Sequence, residues 1–167
     1  MFFARAQEYA HQPRYRVKRD GAWRDTTWEE SARRVRAMAG GLISLGLEPG
    51  QRVTLLCATR PEWMELDIAI LAAGGITIPI YPSNLPAECG YIVWNSEAQI
   101  ACAENQAQID KLRAIERDGG TLGDHTFTVD LTHIITVDDT SDANAITLDD
   151  LMERGKDCSD ADSVSYT

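Results

Sequence analysis

Apolar residues recur along this chain at two periods, and the change from one to the other marks its elements. Trp28, Ala32, Val35, Ala39 and Leu42 follow helical spacing. Thr27 stands just before them with Glu30 three residues on, the pattern of a capping box, so a helix is predicted over 28–45. Glu29 with Arg33, and Glu30 with Arg34, fall at i,i+4 on its wet side. Gly46 supplies a left-handed stop. Gly40 and Gly41 lower helix propensity and so imply close packing against a neighbour.

Beyond Gly50 the pattern shortens. Arg52 to Ala58 reads as a buried strand, 76–80, 99–103 and 132–137 as three more. Pro79 assigns the second of these to a sheet edge. Between them lie helices over 61–73, 86–95 and 105–117. The first is expected to open on a Thr59–Glu62 capping box, the last on Asn105 with Gln108. From Ile68 onward the first is apolar on all sides, as in a buried helix. Gly119 to Thr128 looks loop-like, and Asp138 to Ala145 acidic, small and mobile. Thr147 with Asp150 caps a short helix ending at Gly155. Upstream, Asp20-Gly21 between short alternating runs predicts a hairpin over 15–26. Strands alternating with helices imply crossover units. The expected fold is α/β in three layers, a mainly parallel sheet with flanking helices, preceded by a β-hairpin.

The 167 residues suffice for one domain with a core. A net charge of −10 argues against a nucleic-acid surface, although a local pocket can oppose the global sign. Cysteines at 57, 89, 102 and 158 form no CxxC pair, and those at 57 and 102 lie in apolar strands, so buried thiols are expected rather than a metal site. Arg5, Glu8 and His11 follow Met1-Phe2-Phe3 too closely for a secretory signal, and the apolar run Ile68 to Ile80 is too short to span a bilayer. A cytoplasmic protein is the default, with residues 1–10 as the candidate for peripheral membrane contact.

Motifs that carry chemistry are missing. No glycine pair fits GxGxxG or a Walker loop, and no serine sits in a GxSxG elbow. His11, His125 and His133 are scattered, and the acidic run from Asp138 lacks calcium-loop spacing. Thr59-Arg60-Pro61-Glu62-Trp63 falls at the carboxyl end of a strand, where open α/β sheets hold ligands. Arg60 there meets an anion, pins its loop through an ion pair, or ties two subdomains together. Tyr81-Pro82-Ser83-Asn84 leaves the next strand at the same edge and is read as a cleft wall. Trp23, Trp28, Trp63 and Trp94 are expected to pack rather than to stack on substrate. No catalytic residue and no metal ligand is assigned.

One resemblance runs through the chain. Thr27-Trp28-Glu29-Glu30 to Arg34-Val35, Ala39-Gly40-Gly41-Leu42, Leu45-Gly46-Leu47, Pro49-Gly50 and Arg52-Val53 are similar to the opening of the adenylate-forming acyl-CoA synthetases. Thr59 to Trp63, then Asp67 to Gly75, continue it, and Pro79-Ile80-Tyr81-Pro82-Ser83 narrows it toward bacterial long-chain fatty acyl-CoA ligases. The resemblance implies the incomplete N-terminal part of that fold: an arm over 1–14, then 15–167 as the first portion of the AMP-binding domain, cut before its phosphate-binding loop. Tyr166 and Thr167 match the start of that loop, which makes Thr167 the one residue carried over to nucleotide binding. The implied activity is ligation of a long-chain fatty acid to CoA through an acyl-adenylate, with ATP, CoA and Mg2+ used by the full-length enzyme and none held by this piece, an inactive scaffold. A homodimer and peripheral contact at the inner face of the membrane are further expectations. A fatty acyl-AMP ligase, another adenylate-forming enzyme, and a non-catalytic binding or assembly domain stay open as alternatives.

Overall fold

A computed structural model describes residues 2–19 and 21–156. The N-terminal arm carries a helix, α1 (Phe2–Glu8), and the hairpin that follows is β1 (Pro13–Arg19) with β2 (Ala22–Thr27), antiparallel as expected. Then come α2 (Trp28–Ser44), β3 (Arg52–Leu56), α3 (Pro61–Ala72), β4 (Ile76–Ile80), α4 (Pro86–Ser96), β5 (Ile100–Ala103) and α5 (Gln106–Asp118). After these come β6 (Gly120–Leu122), β7 (His125–Phe127), β8 (His133–Thr136), β9 (Ile146–Thr147) and α6 (Leu148–Arg154).

The central sheet has the order β4-β3-β5-β8-β9, and every pairing in it is parallel. Alternation along its strands feeds two cores. Val53, Leu55, Ile100, Cys102 and Ile135 face α2, α3 and α6. Leu56, Ala101, Ala103 and Ile134 face α4 and α5. The sheet is therefore the middle of three layers, and β4 with its Pro79 is an edge.

Local capping explains where the helices start and stop. Thr27 and Glu30 form the reciprocal box at the head of α2, and Gly46 takes φ 91° just past its end. Asn105 caps α5 and Thr147 caps α6, each accepting from the backbone N–H three residues on. Close packing at Gly41 is also as expected: a Cβ there would meet the Leu151 carbonyl oxygen at 2.1 Å, and one on Gly155 would meet that of Ala37 at 1.9 Å. These two glycines let α6 lie directly on α2.

Several expectations are corrected. The Thr59–Glu62 box does not form: the N-cap of α3 is Arg60, without a side-chain cap bond, because Glu62 turns to the Arg60 guanidinium. Arg34 turns inward to Glu65 rather than along the wet face to Glu30. Gly119 to Thr128 is a small antiparallel hairpin, β6–β7, held by Phe127 packed over Gly90 and Gly120. The acidic segment after β8 is tied down: Thr140 and Ser141 donate to Gln106, and Asp142 accepts from Arg113 at 2.7 Å. It leads into β9, which periodicity cannot reveal in two residues.

Candidate functional site: the carboxyl end of the sheet

The path of the chain locates the crevice. From β3 it crosses to β4 on one side, then returns past β3 to β5 on the other, so its direction reverses between β3 and β5. Open α/β sheets bind ligands outside the strand ends at such a reversal. Here the residues leaving β3, β5 and β8 meet: Cys57 to Arg60, Glu104, and Asp138.

Backbone bonds first draw these ends together. Glu104 N–H donates to the Leu56 carbonyl at 3.0 Å, and Asp138 N–H to that of Glu104 at 2.9 Å. Glu104 Oε2 then accepts from Ala58 N–H at 3.1 Å, bridging the crevice. Arg60 closes it. Its Nε donates to Glu62 at 2.9 Å and its Nη1 reaches both Asp138 oxygens at 2.9 and 3.0 Å, with Glu104 at 3.6 Å. Partial burial works against the guanidinium charge, but Glu62 and Asp138 outweigh it and raise its pKa above the ordinary arginine range. Beneath them, burial, reinforced by Glu104, pushes the Cys57 thiol up to about 12. Of the roles open to Arg60, the geometry selects the ion pair that pins its loop.

A groove of about 660 Å³ lies above this latch, lined also by Arg34, Asp139, Thr147 and Asp149. Its carboxylates outnumber its cations, so it opposes a polyphosphate. No group of three or more metal-ligating side chains gathers anywhere among the described residues.

A second polar knot sits one turn along α3. Glu65 has no exposed surface, yet it accepts from Tyr15 Oη, Ser31 Oγ and Arg34 Nε, each at 2.7 Å. Arg14 donates in turn to Ser31 and lies over Phe2 and Trp28. Burial, followed by the Glu65 carboxylate, pushes the Tyr15 phenol up to about 12. One buried carboxylate thereby joins the hairpin, α2 and α3.

The other sequence candidates are dispersed. The Tyr81–Asn84 loop is fastened from below by Lys111 Nζ, which donates to the carbonyls of Pro82 at 2.6 Å and Asn84 at 2.9 Å, while Tyr81 stays exposed. His125 lies against Tyr91 and Trp94. Trp28 and Trp63 pack as expected, but Trp23 is 64% exposed. Thr167, Tyr166 and Cys158 lie outside the described residues. Sequence reasoning missed Glu104, Asp138 and Glu65 as partners. The first two carried a readable signal, since each is the carboxylate met on leaving an apolar strand, opposite Arg60 leaving another.

A model of the AMP-binding enzyme family matches residues 2–166. The chain belongs to the AMP-binding enzymes. It is 46% identical over 88 residues to the long-chain-fatty-acid–CoA ligase FadD15 of Mycobacterium bovis, a match covering 53% of this chain and 15% of that protein. Against long-chain-fatty-acid–CoA ligase ACSBG1 of Bos taurus the identity is 30% over 115 residues, 69% of this chain and 16% of the relative. The chain thus spans about 15% of the length of these curated relatives. Among solved structures, the anthranilate CoA ligase AuaEII, in complex with anthranoyl-AMP, superposes with a TM-score of 0.75 at 20% identity. A benzoate CoA ligase from Burkholderia xenovorans gives 0.71 at 21%. Each match covers 91% of this chain and 27% of the other, and at that identity it speaks for the fold alone.

Proposed function

We propose that this chain is the N-terminal portion of an ATP-dependent long-chain fatty acid–CoA ligase. The whole enzyme would convert fatty acid, ATP and CoA to acyl-CoA, AMP and pyrophosphate through an acyl-adenylate, with Mg2+ offsetting phosphate charge. The observation that carries the reading is the 46% identity to a long-chain-fatty-acid–CoA ligase over 88 residues. Cytoplasmic placement, contact with the inner face of the membrane and pairing into a homodimer belong to the same proposal. No helix among the described residues is long and apolar enough to cross a membrane.

In this reading ATP, CoA and Mg2+ are held by other parts of the whole enzyme. The crevice where such a fold would take a ligand holds Glu62, Glu104 and Asp138 closed on Arg60. What this chain contributes is therefore support: the latch fixes the strand ends, and Glu65 fixes the hairpin and two helices beside them. Thr167 as the opening residue of the phosphate loop stays part of the proposal.

Expression of the complete coding sequence tests it. With palmitate, Mg-ATP and CoA, pyrophosphate release should depend on palmitate, and acyl-CoA should accumulate. Pyrophosphate without acyl-CoA would indicate an acyl-AMP ligase instead, and no palmitate-dependent release would remove the ligase reading. The 167-residue chain alone should show no turnover above a protein-free control.

A further inference from the structure

Three helices, α2, α3 and α6, cover one side of the sheet. Two of them turn polar groups outward. The exposed positions of α2 are Glu29, Glu30, Arg33, Arg36 and Ser44, and those of α6 are Asp149, Asp150, Glu153 and Arg154. On α3 they are Met64 and Leu71, 36% and 50% exposed. Ile68 stands between these two at helical spacing and is half-buried, so the three form one outward stripe. The single charged residue on that side is Asp67. Beyond the helix, Gly75 N–H donates to the Ile70 carbonyl at 2.8 Å, so β4 starts close to the end of α3. Its first residue, Ile76, is 45% exposed, and β4 is an edge of the sheet.

A helix that is apolar on its outward side as well as its inward side is suited to burial on both. Left open, such a stripe beside an unpaired strand edge invites association. Asp67 bears on what covers it. A second copy of this chain seated by a two-fold axis at the centre of the stripe would set Asp67 close to its own image, and each copy carries a net charge of −10. A segment of the same polypeptide meets neither obstacle. Its docking also costs no translational freedom, unlike that of a separate molecule. The chain spans about 15% of the length of its curated relatives, which leaves ample polypeptide to supply the cover.

We propose that the outward face of α3, formed by Met64, Ile68 and Leu71 and continued by Ile76, is an internal docking surface covered by an apolar segment from a later part of the same polypeptide. α3 then lies between two cores, the one described above and a second closed by that segment. The inference rests on the reading of this chain as the N-terminal portion of a larger enzyme, but not on the reaction that enzyme performs.

Thiol labelling of Leu71→Cys tests it, in the complete polypeptide and in the 167-residue chain, each carrying Cys158→Ser and each compared with itself unfolded in urea. The native Cys57, Cys89 and Cys102 are buried and stay quiet while the protein is folded. In the complete polypeptide the label should react about tenfold or more slower than in urea, because it must wait for local opening. In the 167-residue chain it should react almost as fast as in urea. Met64→Glu with Leu71→Glu should lower the melting temperature of the complete polypeptide and leave that of the 167-residue chain unchanged, with circular dichroism showing both folded. Equally fast labelling in the two proteins, or an equal effect of the double variant on both, would overturn the proposal. Protection in the 167-residue chain that grows with its concentration would also overturn it, in favour of a second copy. No ATP, CoA or fatty acid enters these measurements. A polypeptide that buries α3 yet forms no acyl-CoA would therefore fail the ligase reading alone, and an active ligase with an open α3 would fail this inference alone.

Discussion

Replacing Arg60 by alanine removes the cation that Glu62, Glu104 and Asp138 share. The two limbs of the latch differ in burial: the Glu62 side chain is 9% exposed, that of Asp138 42%. Breaking a buried pair costs about 3–5 kcal/mol. An exposed, screened pair is worth about 0–1 kcal/mol. The first limb sits toward the upper range and the second toward the lower, and Arg60 itself is partly exposed. Arg60→Ala should therefore cost about 2–3 kcal/mol after screening. For a chain of this size that is a fall in Tm of about 5–10 °C. Arg60→Lys restores the charge but not the fork, and should recover less than half of the loss. Urea unfolding followed by tryptophan fluorescence measures it, with an unchanged m-value as the sign that stability alone has moved. A loss under about 0.5 kcal/mol, typical of a plain surface substitution, would refute the latch. So would stabilisation of the wild type, but not the variant, by millimolar pyrophosphate, since that would make Arg60 an anion site.

The buried knot at Glu65 gives a second expectation: Glu65→Ala should cost about 3–5 kcal/mol in the same assay, because Arg34 then loses its buried partner. Tyr15→Phe should cost about 1–2 kcal/mol, a single bond to a carboxylate. Because folding raises the Tyr15 phenol from 10.0 to about 12, its contribution is complete below pH 10 and lost as pH climbs through about 12. Stability should fall across that alkaline window, and less steeply in Tyr15→Phe. Gly41→Ala should drive α6 off α2, costing about 1–3 kcal/mol or more and admitting protease at Leu148–Arg154, since its Cβ has 2.1 Å to the Leu151 oxygen. Cys57, Cys89 and Cys102 should react with a thiol reagent only on unfolding, as all three are buried and burial raises each thiol pKa.

Those elements that depend on nearby residues were legible. The Thr27–Glu30 box, the Asn105 and Thr147 caps and the apolar strands follow from spacing within a few positions, and crossover alternation then implies the parallel sheet. The misreadings share a different cause. Thr59 and Glu62 have capping spacing, yet Arg60 competes for the same carboxylate and wins with a charged donor. Arg34 has Glu30 four residues away but bonds to Glu65, because a buried carboxylate needs a cation more than a solvated one does. The β6–β7 hairpin carries a single buried apolar side chain, Phe127, too little for periodicity to register. The latch could be anticipated only as one option for Arg60, since its partners come from strands far along the chain.

That separation has a consequence for how the molecule is made. Arg60 and Asp138 are 78 residues apart, and β3 cannot gain its β5 neighbour until residue 103 has been synthesised. During translation the hairpin, α2 and α3 can settle early through Tyr15, Ser31, Arg34 and Glu65. The strand ends wait, with Arg60 and Glu62 paired but Glu104 and Asp138 still in the ribosome tunnel. Parallel pairing of this kind is slow and leaves strand edges open in the meantime. A pause in synthesis between residues 104 and 138 would hold the nascent chain in that half-latched state, where a chaperone has most to protect.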